Sequence, residues 1–164
     1  MKKNIYKWLL WVFFVLYSLV LLYVTFGNRN TLSGMSIADY FQRSINLVPF
    51  KTISLYIKWI LDGDRTNNFI PLTNLGVNLI LLFPMGFFLP NLIKICRNFF
   101  AYTGFNVLIL VLIESIQLLT RRGSFDVDDF LLNLLGAVIG YVVWIITSTI
   151  INKVKDTKTG KEKT

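Results

Sequence analysis

Four long stretches of apolar residues constrain this chain more than any other feature of its sequence. They cover residues 8–26, 69–93, 98–120 and 130–152, and the only charged residue inside them is Glu114. A helix rises about 1.5 Å per residue, so roughly 20 apolar residues cross a hydrocarbon core about 30 Å thick. Each stretch is therefore predicted to form a transmembrane helix.

The overall composition agrees with a membrane protein, since 54% of the residues are hydrophobic and only 16% are charged. A cleaved signal peptide is the alternative for the first stretch. That stretch is too long for one, however, and its end at Tyr23-Val-Thr-Phe-Gly27 lacks the small-residue cleavage pattern. We predict an all-α integral membrane protein with four transmembrane helices in one domain, residues 1–152. A basic, disordered tail, residues 153–164, is expected to follow.

The distribution of basic residues predicts the orientation of the helices in the membrane. Ten Lys and Arg residues flank the side that carries both termini, whereas seven flank the other side. Basic residues concentrate on the cytoplasmic side, and those in long loops count weakly. Both termini are therefore predicted to be cytoplasmic, with the long loop 27–70 outside.

The long loop is predicted to contain an amphipathic helix lying in the membrane interface. Its residues from Thr52 onward place apolar side chains on one side at helical spacing. These side chains are Ile53, Tyr56, Ile57, Ile60 and Leu61. Just before them, Pro49 fixes the backbone, and Phe50 could dip into the bundle or the bilayer.

The chain has no His and a single Cys, Cys96, which excludes an intrachain disulfide and removes the usual ligands of zinc. We expect no metal and no cofactor. The net charge of +8 is explained mostly by membrane topology, so we expect no nucleic-acid partner.

A second constraint is the stretch ESIQLLTRRGSFDVDDFLLN, residues 114–133, which crowds six charges between two apolar spans. Glu114, Gln117 and Arg121 have the spacing i, i+3, i+7 and would share one helix face. The same spacing recurs on the next helix, and a pair of amides lies on the second span. We predict a polar pocket that opens outward and is lined by Asn74, Asn78, Glu114, Gln117, Arg121, Asp126, Asp129 and Asn133.

Structural alternatives exist for most of these residues. Asp126, Asp128 and Asp129 could cap the fourth helix, and the amides could join helices by hydrogen bonds. Glu114 is harder to explain in this way, because a carboxylate inside a membrane is expensive and joining helices does not require one. Three further residues are predicted to serve packing and helix shape, namely Gly136, Gly140 and Pro84.

Three sequence blocks also resemble the VanZ-like family of bacterial membrane proteins. They are NLVPF at 46–50, NLGVNLILLFPMGFFLP at 74–90 and ESIQLLTRRGSFDVDDFLLNLLGAVIGY at 114–141. The family pattern matches Asn78, Pro84, Gly86, Glu114, Gln117, Asp126, Asp129, Asn133, Gly136 and Gly140. Either Arg121 or Arg122 holds the family's arginine position, and helix geometry favours Arg121.

The resemblance implies a bacterial cytoplasmic membrane protein linked to low-level resistance to teicoplanin, an acylated glycopeptide. The pocket would then engage the acylated drug or a lipid-linked cell-wall intermediate. Two other classes stay open, namely an intramembrane metal-dependent enzyme acting on a lipid-linked phosphate and a structural membrane subunit. The sequence leaves the oligomeric state open.

The charge distribution generates a topology prediction. A cysteine introduced near Thr31 or at Ser124 should react with a membrane-impermeant thiol reagent in intact cells, whereas one at Thr157 should not. Labelling of the Thr157 position with protection of the loop positions would invert the orientation and place the pocket in the cytoplasm.

Overall fold

The computed structural model describes residues 2–27, 36–62 and 69–161. Among these residues, the segments that are long and apolar enough to cross a membrane are Asn4–Phe26, Phe69–Leu92, Phe99–Leu119 and Val127–Thr157. The four predicted membrane helices are therefore confirmed. The helices are α1 (Lys2–Phe26), α2 (Ile37–Ser44), α3 (Lys51–Leu61), α4 (Phe69–Leu81), α5 (Met85–Leu92), α6 (Phe99–Leu119) and α7 (Val127–Lys161).

The second span is broken into α4 and α5 by a turn that ends at Pro84. The Met85 amide donates to the Leu82 carbonyl there, so the Leu81 carbonyl loses its normal helical donor. The Tyr17 hydroxyl of α1 donates to that carbonyl at 2.6 Å. A neighbouring helix thus satisfies a backbone group that the bilayer has no water to satisfy.

Three glycines let α7 lie directly against the broken span. A Cβ atom on Gly136 would stand 1.8 Å from the Leu79 carbonyl oxygen, and one on Gly140 would stand 2.0 Å from that of Phe83. From the opposite side, a Cβ on Gly86 would stand 2.0 Å from the Gly140 carbonyl carbon. We call this contact the glycine seam. The atoms that would clash with an added Cβ are backbone atoms, which no rotamer change can move.

The segment 36–62 folds against the turn between α6 and α7. Its two-residue strand β1 (Ile45–Asn46) pairs in parallel with β2 (Phe125–Asp126), and the Tyr40 hydroxyl donates to the Gly123 carbonyl at 2.5 Å. We call the end of the bundle where these elements meet the loop end. The helix α2 was not predicted from the sequence.

The predicted amphipathic helix is present as α3, but its faces differ in part from the prediction. Ile53, Tyr56 and Ile60 are half-buried, whereas Ile57 is 46% exposed and Leu61 is 78% exposed. The helix therefore turns a narrower face to the bundle than the sequence indicates.

The last helix extends farther than the sequence predicts, because α7 continues through Lys161 and includes most of the expected disordered tail. No proline occurs there and the first glycine is Gly160, so nothing in residues 153–159 ends a helix. The division into a membrane domain and a separate tail stays a prediction.

The glycine seam generates a stability prediction. Gly136→Ala and Gly140→Ala should each lower stability by about 1 to 3 kcal/mol or more, because the added methyl group meets backbone. Gly76→Ala and Gly104→Ala are matched controls, since within the described part of the chain nothing lies within 4 Å of a Cβ at either position. Thermal unfolding of the four purified variants in detergent measures the difference. Equal unfolding temperatures for all four would contradict the seam.

Candidate functional site

Polar side chains from three membrane helices converge at the loop end around a small cavity. Its volume is about 20 Å³, which is room for about one water molecule. The lining residues are Val24, Thr25, Val77, Asn78, Leu81, Leu110, Ile113, Glu114, Gln117, Asp129 and Asn133. Besides Thr25 of α1, the polar lining residues are Asn78, Glu114, Gln117, Asp129 and Asn133, which we call the polar cluster; all five are predicted pocket residues.

The amide of Asn78 connects α4 to α7 at this cavity. Its Nδ2 donates to Asp129 Oδ1 at 2.5 Å and to Asn74 Oδ1 at 3.1 Å, which uses both of its N–H groups. Asn74 therefore belongs to the same network although it lies outside the cavity lining. The hydrogen bond from Asn78 to Asp129 joins α4 to α7 and so holds the two helices in register.

Residues of α6 complete the cluster from the opposite side. Glu114 is 4% exposed and Gln117 is 5% exposed. The Gln117 side chain donates to the Thr25 backbone carbonyl at 3.1 Å and so fixes the end of α1. The helical spacing of Glu114 and Gln117 thus brings both side chains to the cavity, as the sequence predicts.

Two buried oxygens at the cavity have unused hydrogen-bonding capacity. Within the described part of the chain, Thr25 Oγ1 and Asn133 Oδ1 have no hydrogen-bond partner, and their residues are 2% and 3% exposed. The amide nitrogen of Asn133 is occupied by the Asp129 carbonyl at 2.8 Å. An unsatisfied buried polar group costs about 1 to 3 kcal/mol, so a guest that donates a hydrogen bond would stabilise the site.

Asp126 and Asp128 form their hydrogen bonds with the loop segment and with each other, and not with residues of the cavity. The carboxylate of Asp128, which is fully buried, accepts backbone N–H bonds from Phe50, Thr52 and Ile53 at 2.5, 2.7 and 3.1 Å. It therefore caps the N-terminus of α3, where donors would otherwise lack partners. Local sequence indicates Asp128 only as a cap of its own helix, because the amides that it caps lie 75 to 78 residues away along the chain.

Asp126 supports the same junction. One of its oxygens accepts from the Asn46 side chain at 3.0 Å and from the Asp128 amide at 2.9 Å, and the other accepts from the Thr52 hydroxyl at 2.6 Å. The bond to the Asp128 amide caps the start of α7. We call Asp126 and Asp128 the aspartate anchor. Asp126 lies at this junction and not in the lining of the cavity. Its role is therefore to cap a helix, which is the structural alternative considered for it.

The anchor also shapes the turn before α3. Phe50 has a φ of 64°, in the left-handed region that a bulky residue rarely adopts. Its side chain is 64% exposed and does not enter the bundle. The hydrogen bond from its amide to Asp128 holds this backbone conformation in place.

Neither arginine of the doubled pair lines the cavity. Helix α6 ends at Leu119, and Arg121 takes a left-handed conformation with a φ of 54°. Its guanidinium carbon lies 5.7 Å from the centre of the Tyr40 ring. Arg122 donates to the Phe26 carbonyl at 3.0 Å. The predicted alignment of Arg121 with Glu114 required one continuous helix, and the earlier helix end removes it.

Helix α3 brings a tyrosine close to the acidic part of the site. Burial, together with the negative charges of Asp129 and Asp126, raises the pKa of Tyr56 above its usual range. The phenol is protonated at physiological pH with or without this shift, so Tyr56 is a hydrogen-bond donor beside the acidic side chains. Among the described residues, no group of three or more Asp, Glu or Cys side chains is placed to hold a metal ion.

Fold and site together define a small polytopic membrane protein with a polar cluster enclosed at one end of its bundle, under a folded loop. Residues 14–148 match the protein family described as VanZ/LLP1, and the chain belongs to that family. The family resemblance drawn from its motifs is thereby confirmed. No curated protein and no solved structure matches the chain significantly.

The aspartate anchor generates a prediction about the loop. Asp128→Asn should leave one or more backbone donors of α3 poorly satisfied, at a cost of about 1 to 3 kcal/mol. Hydrogen exchange of the amides in 50–62 should accelerate by roughly five- to 100-fold, since about 1.4 kcal/mol corresponds to tenfold in an equilibrium. Asp62→Asn, at an exposed position of the same loop, is the control. Equal exchange in both variants would contradict the capping role.

Proposed function

We propose that this VanZ-family protein contributes to low-level teicoplanin resistance from the bacterial cytoplasmic membrane. In this proposal both termini are cytoplasmic, so the loop end faces the outside. There the polar cluster engages an acylated ligand, either the drug itself or a lipid-linked cell-wall intermediate. Membership in the VanZ/LLP1 family supports the biological setting.

The observation that carries the proposal is the unused hydrogen-bonding capacity at the cavity. Polar residues that only join helices satisfy one another, as Asn78 does with Asp129 and Asn74. The buried oxygens of Thr25 and Asn133 instead have no partner among the described residues. Thr103 Oγ1 and Asn106 Oδ1, outside the cavity lining, also have no partner among the described residues, so a single unpaired oxygen does not mark a site. The convergence of the Thr25 and Asn133 oxygens on one cavity favours a site that a ligand completes.

The surroundings of the cluster suit an amphiphilic ligand. Exposed apolar side chains lie on the loop segment that the aspartate anchor holds over the bundle, and they include Leu47, Val48, Phe50, Leu55 and Trp59. A molecule with an acyl chain and a polar body would find both kinds of surface there. Teicoplanin has this chemistry and acts outside the cell, whereas vancomycin carries no acyl chain.

A substitution at Asn133 separates ligand binding from stability. Asn133→Leu removes the unpaired oxygen and breaks only a bond to the carbonyl four residues earlier, so the protein should accumulate normally. If the oxygen binds a ligand, the teicoplanin concentration that inhibits growth should fall to that of cells lacking the protein. Susceptibility to vancomycin should be the same in all strains.

Asn106→Leu is the matched control for this test. Asn106 is fully buried, its amide also donates to the carbonyl four residues earlier, and it lies outside the cavity lining. This variant should protect cells as well as the wild type does. Full protection by Asn133→Leu at equal membrane abundance would overturn the proposed role of the cavity.

A further inference from the structure

An open groove runs along α4 on the side of the bundle that faces lipid. It consists of two adjoining parts of about 340 and 390 Å³. Both parts are lined by Val24, Thr73 and Val77, and the other residues of the larger part are Leu72, Gly76, Ile80 and Leu81. The smaller part is lined in addition by Phe69, Ile70, Asn74 and Asn78, so the groove is apolar along α4 and becomes polar where it reaches the two asparagines.

The groove exists because α1 is fixed to other helices. The middle of α1 packs on α5, where the Tyr17 and Phe88 rings stack with centres 5.5 Å apart. The loop end of α1 is bound to α6 by the hydrogen bond from Gln117 to Thr25. Between these two attachments, no described residue covers α4 beside Val24.

A glycine deepens the floor of the groove. No atom of the described residues lies within 4 Å of a Cβ atom at Gly76, so its missing side chain is not required by packing. This distinguishes Gly76 from the glycines of the seam, where backbone from a neighbouring helix fills the space. The open space at Gly76 belongs to the groove.

The groove leads to the cavity of the polar cluster. Val24, Val77 and Asn78 line both, so Asn78 stands at the boundary between the apolar groove and the polar cavity. The unpartnered oxygens of Thr25 and Asn133 lie on the cavity side of that boundary. An apolar channel thus ends at groups that accept hydrogen bonds.

We propose that the groove binds the alkyl chain of a bilayer amphiphile that enters sideways from the membrane, between α1 and α4. Its polar end places one hydroxyl or amide N–H against the buried oxygens. A cavity of about 20 Å³ admits a single polar group and not a whole head group. The inference rests on the proposed function, for which it names the ligand class and the route of access.

The occupant follows from where the groove lies. It is formed by residues within the spans Asn4–Phe26 and Phe69–Leu92, at membrane depth. The surrounding solvent there is hydrocarbon, so the chain of a lipid reaches the groove without crossing water. Hydrocarbon offers no hydrogen-bond acceptor to the hydroxyl or amide N–H of the ligand, whereas the buried oxygens of the cavity do.

Photolabelling tests the proposal on the full chain in vesicles of phosphatidylglycerol and phosphatidylcholine. The probe is a monoacylglycerol with a diazirine near the end of its chain, and the comparison probe is the methyl ester of the same fatty acid, which has no donor. Labelling by the hydroxyl-bearing probe should be several-fold higher at Leu72, Val77 and Ile80 than at Val142 and Val143, which are also exposed on α7. The methyl ester should show a weaker preference.

Gly76→Leu fills the floor of the groove and should abolish the preference for α4. Gly104→Leu, at a second described glycine with open space around it, should leave the preference unchanged. Equal labelling of α4 and α7 in the wild-type protein overturns the proposal. This outcome requires no variant to fold. A preference that survives in a folded Gly76→Leu protein also overturns it.

The same strains separate this inference from the proposed function. A wild type that labels selectively at α4 but gives no protection from teicoplanin would overturn the resistance role and support the groove. If the wild-type protein protects cells but is labelled uniformly, the proposal that the groove binds an alkyl chain is overturned and the resistance role is not. Loss of both labelling and protection in Gly76→Leu, with Gly104→Leu intact, supports both.

Discussion

The close backbone contact between α7 and the broken second span is the interaction on which the polar cluster depends. Asp129, Asn133, Gly136 and Gly140 have spacings of four, three and four residues and therefore share one face of α7. The glycines bring that face against the backbone of α4 and α5. The same approach lets Asp129 reach Asn78, so a wider helix separation would break the hydrogen bond as well as the packing.

The side chains of the three acidic residues at the start of α7 point in different directions and bind different parts of the protein. Asp126 caps its own helix and holds Thr52, Asp128 points away from the cavity to cap α3, and Asp129 points into the cluster. One turn of helix therefore joins the loop, the bundle and the candidate site. These three roles explain why three carboxylates lie together at this turn, in a chain whose membrane spans are almost free of charge.

Much of this arrangement follows from sequence patterns, and what does not follow has identifiable physical causes. Apolar length predicts the spans, and helical spacing predicts that Glu114 and Gln117 reach one cavity. The position of Arg121 was not predictable in this way, because a left-handed residue at a helix end is usually glycine and not arginine. The role of Asp128 depends on a contact 75 to 78 residues distant, which no local pattern contains.

The anchored loop also bears on how a ligand would reach the cluster. Asp128 holds α3 at the loop end by hydrogen bonds to its first amides, and α3 packs on both α4 and α7. Burial, and then the nearby charge of Asp129, raise the pKa of Tyr56 of α3, which places this phenol close to the polar cluster. The end of the bundle is thus covered by a helix whose attachment is buried, whereas no helix of the described residues covers α4 along the groove. Access from the side requires no buried bond to break, and access from the loop end requires the aspartate anchor to open.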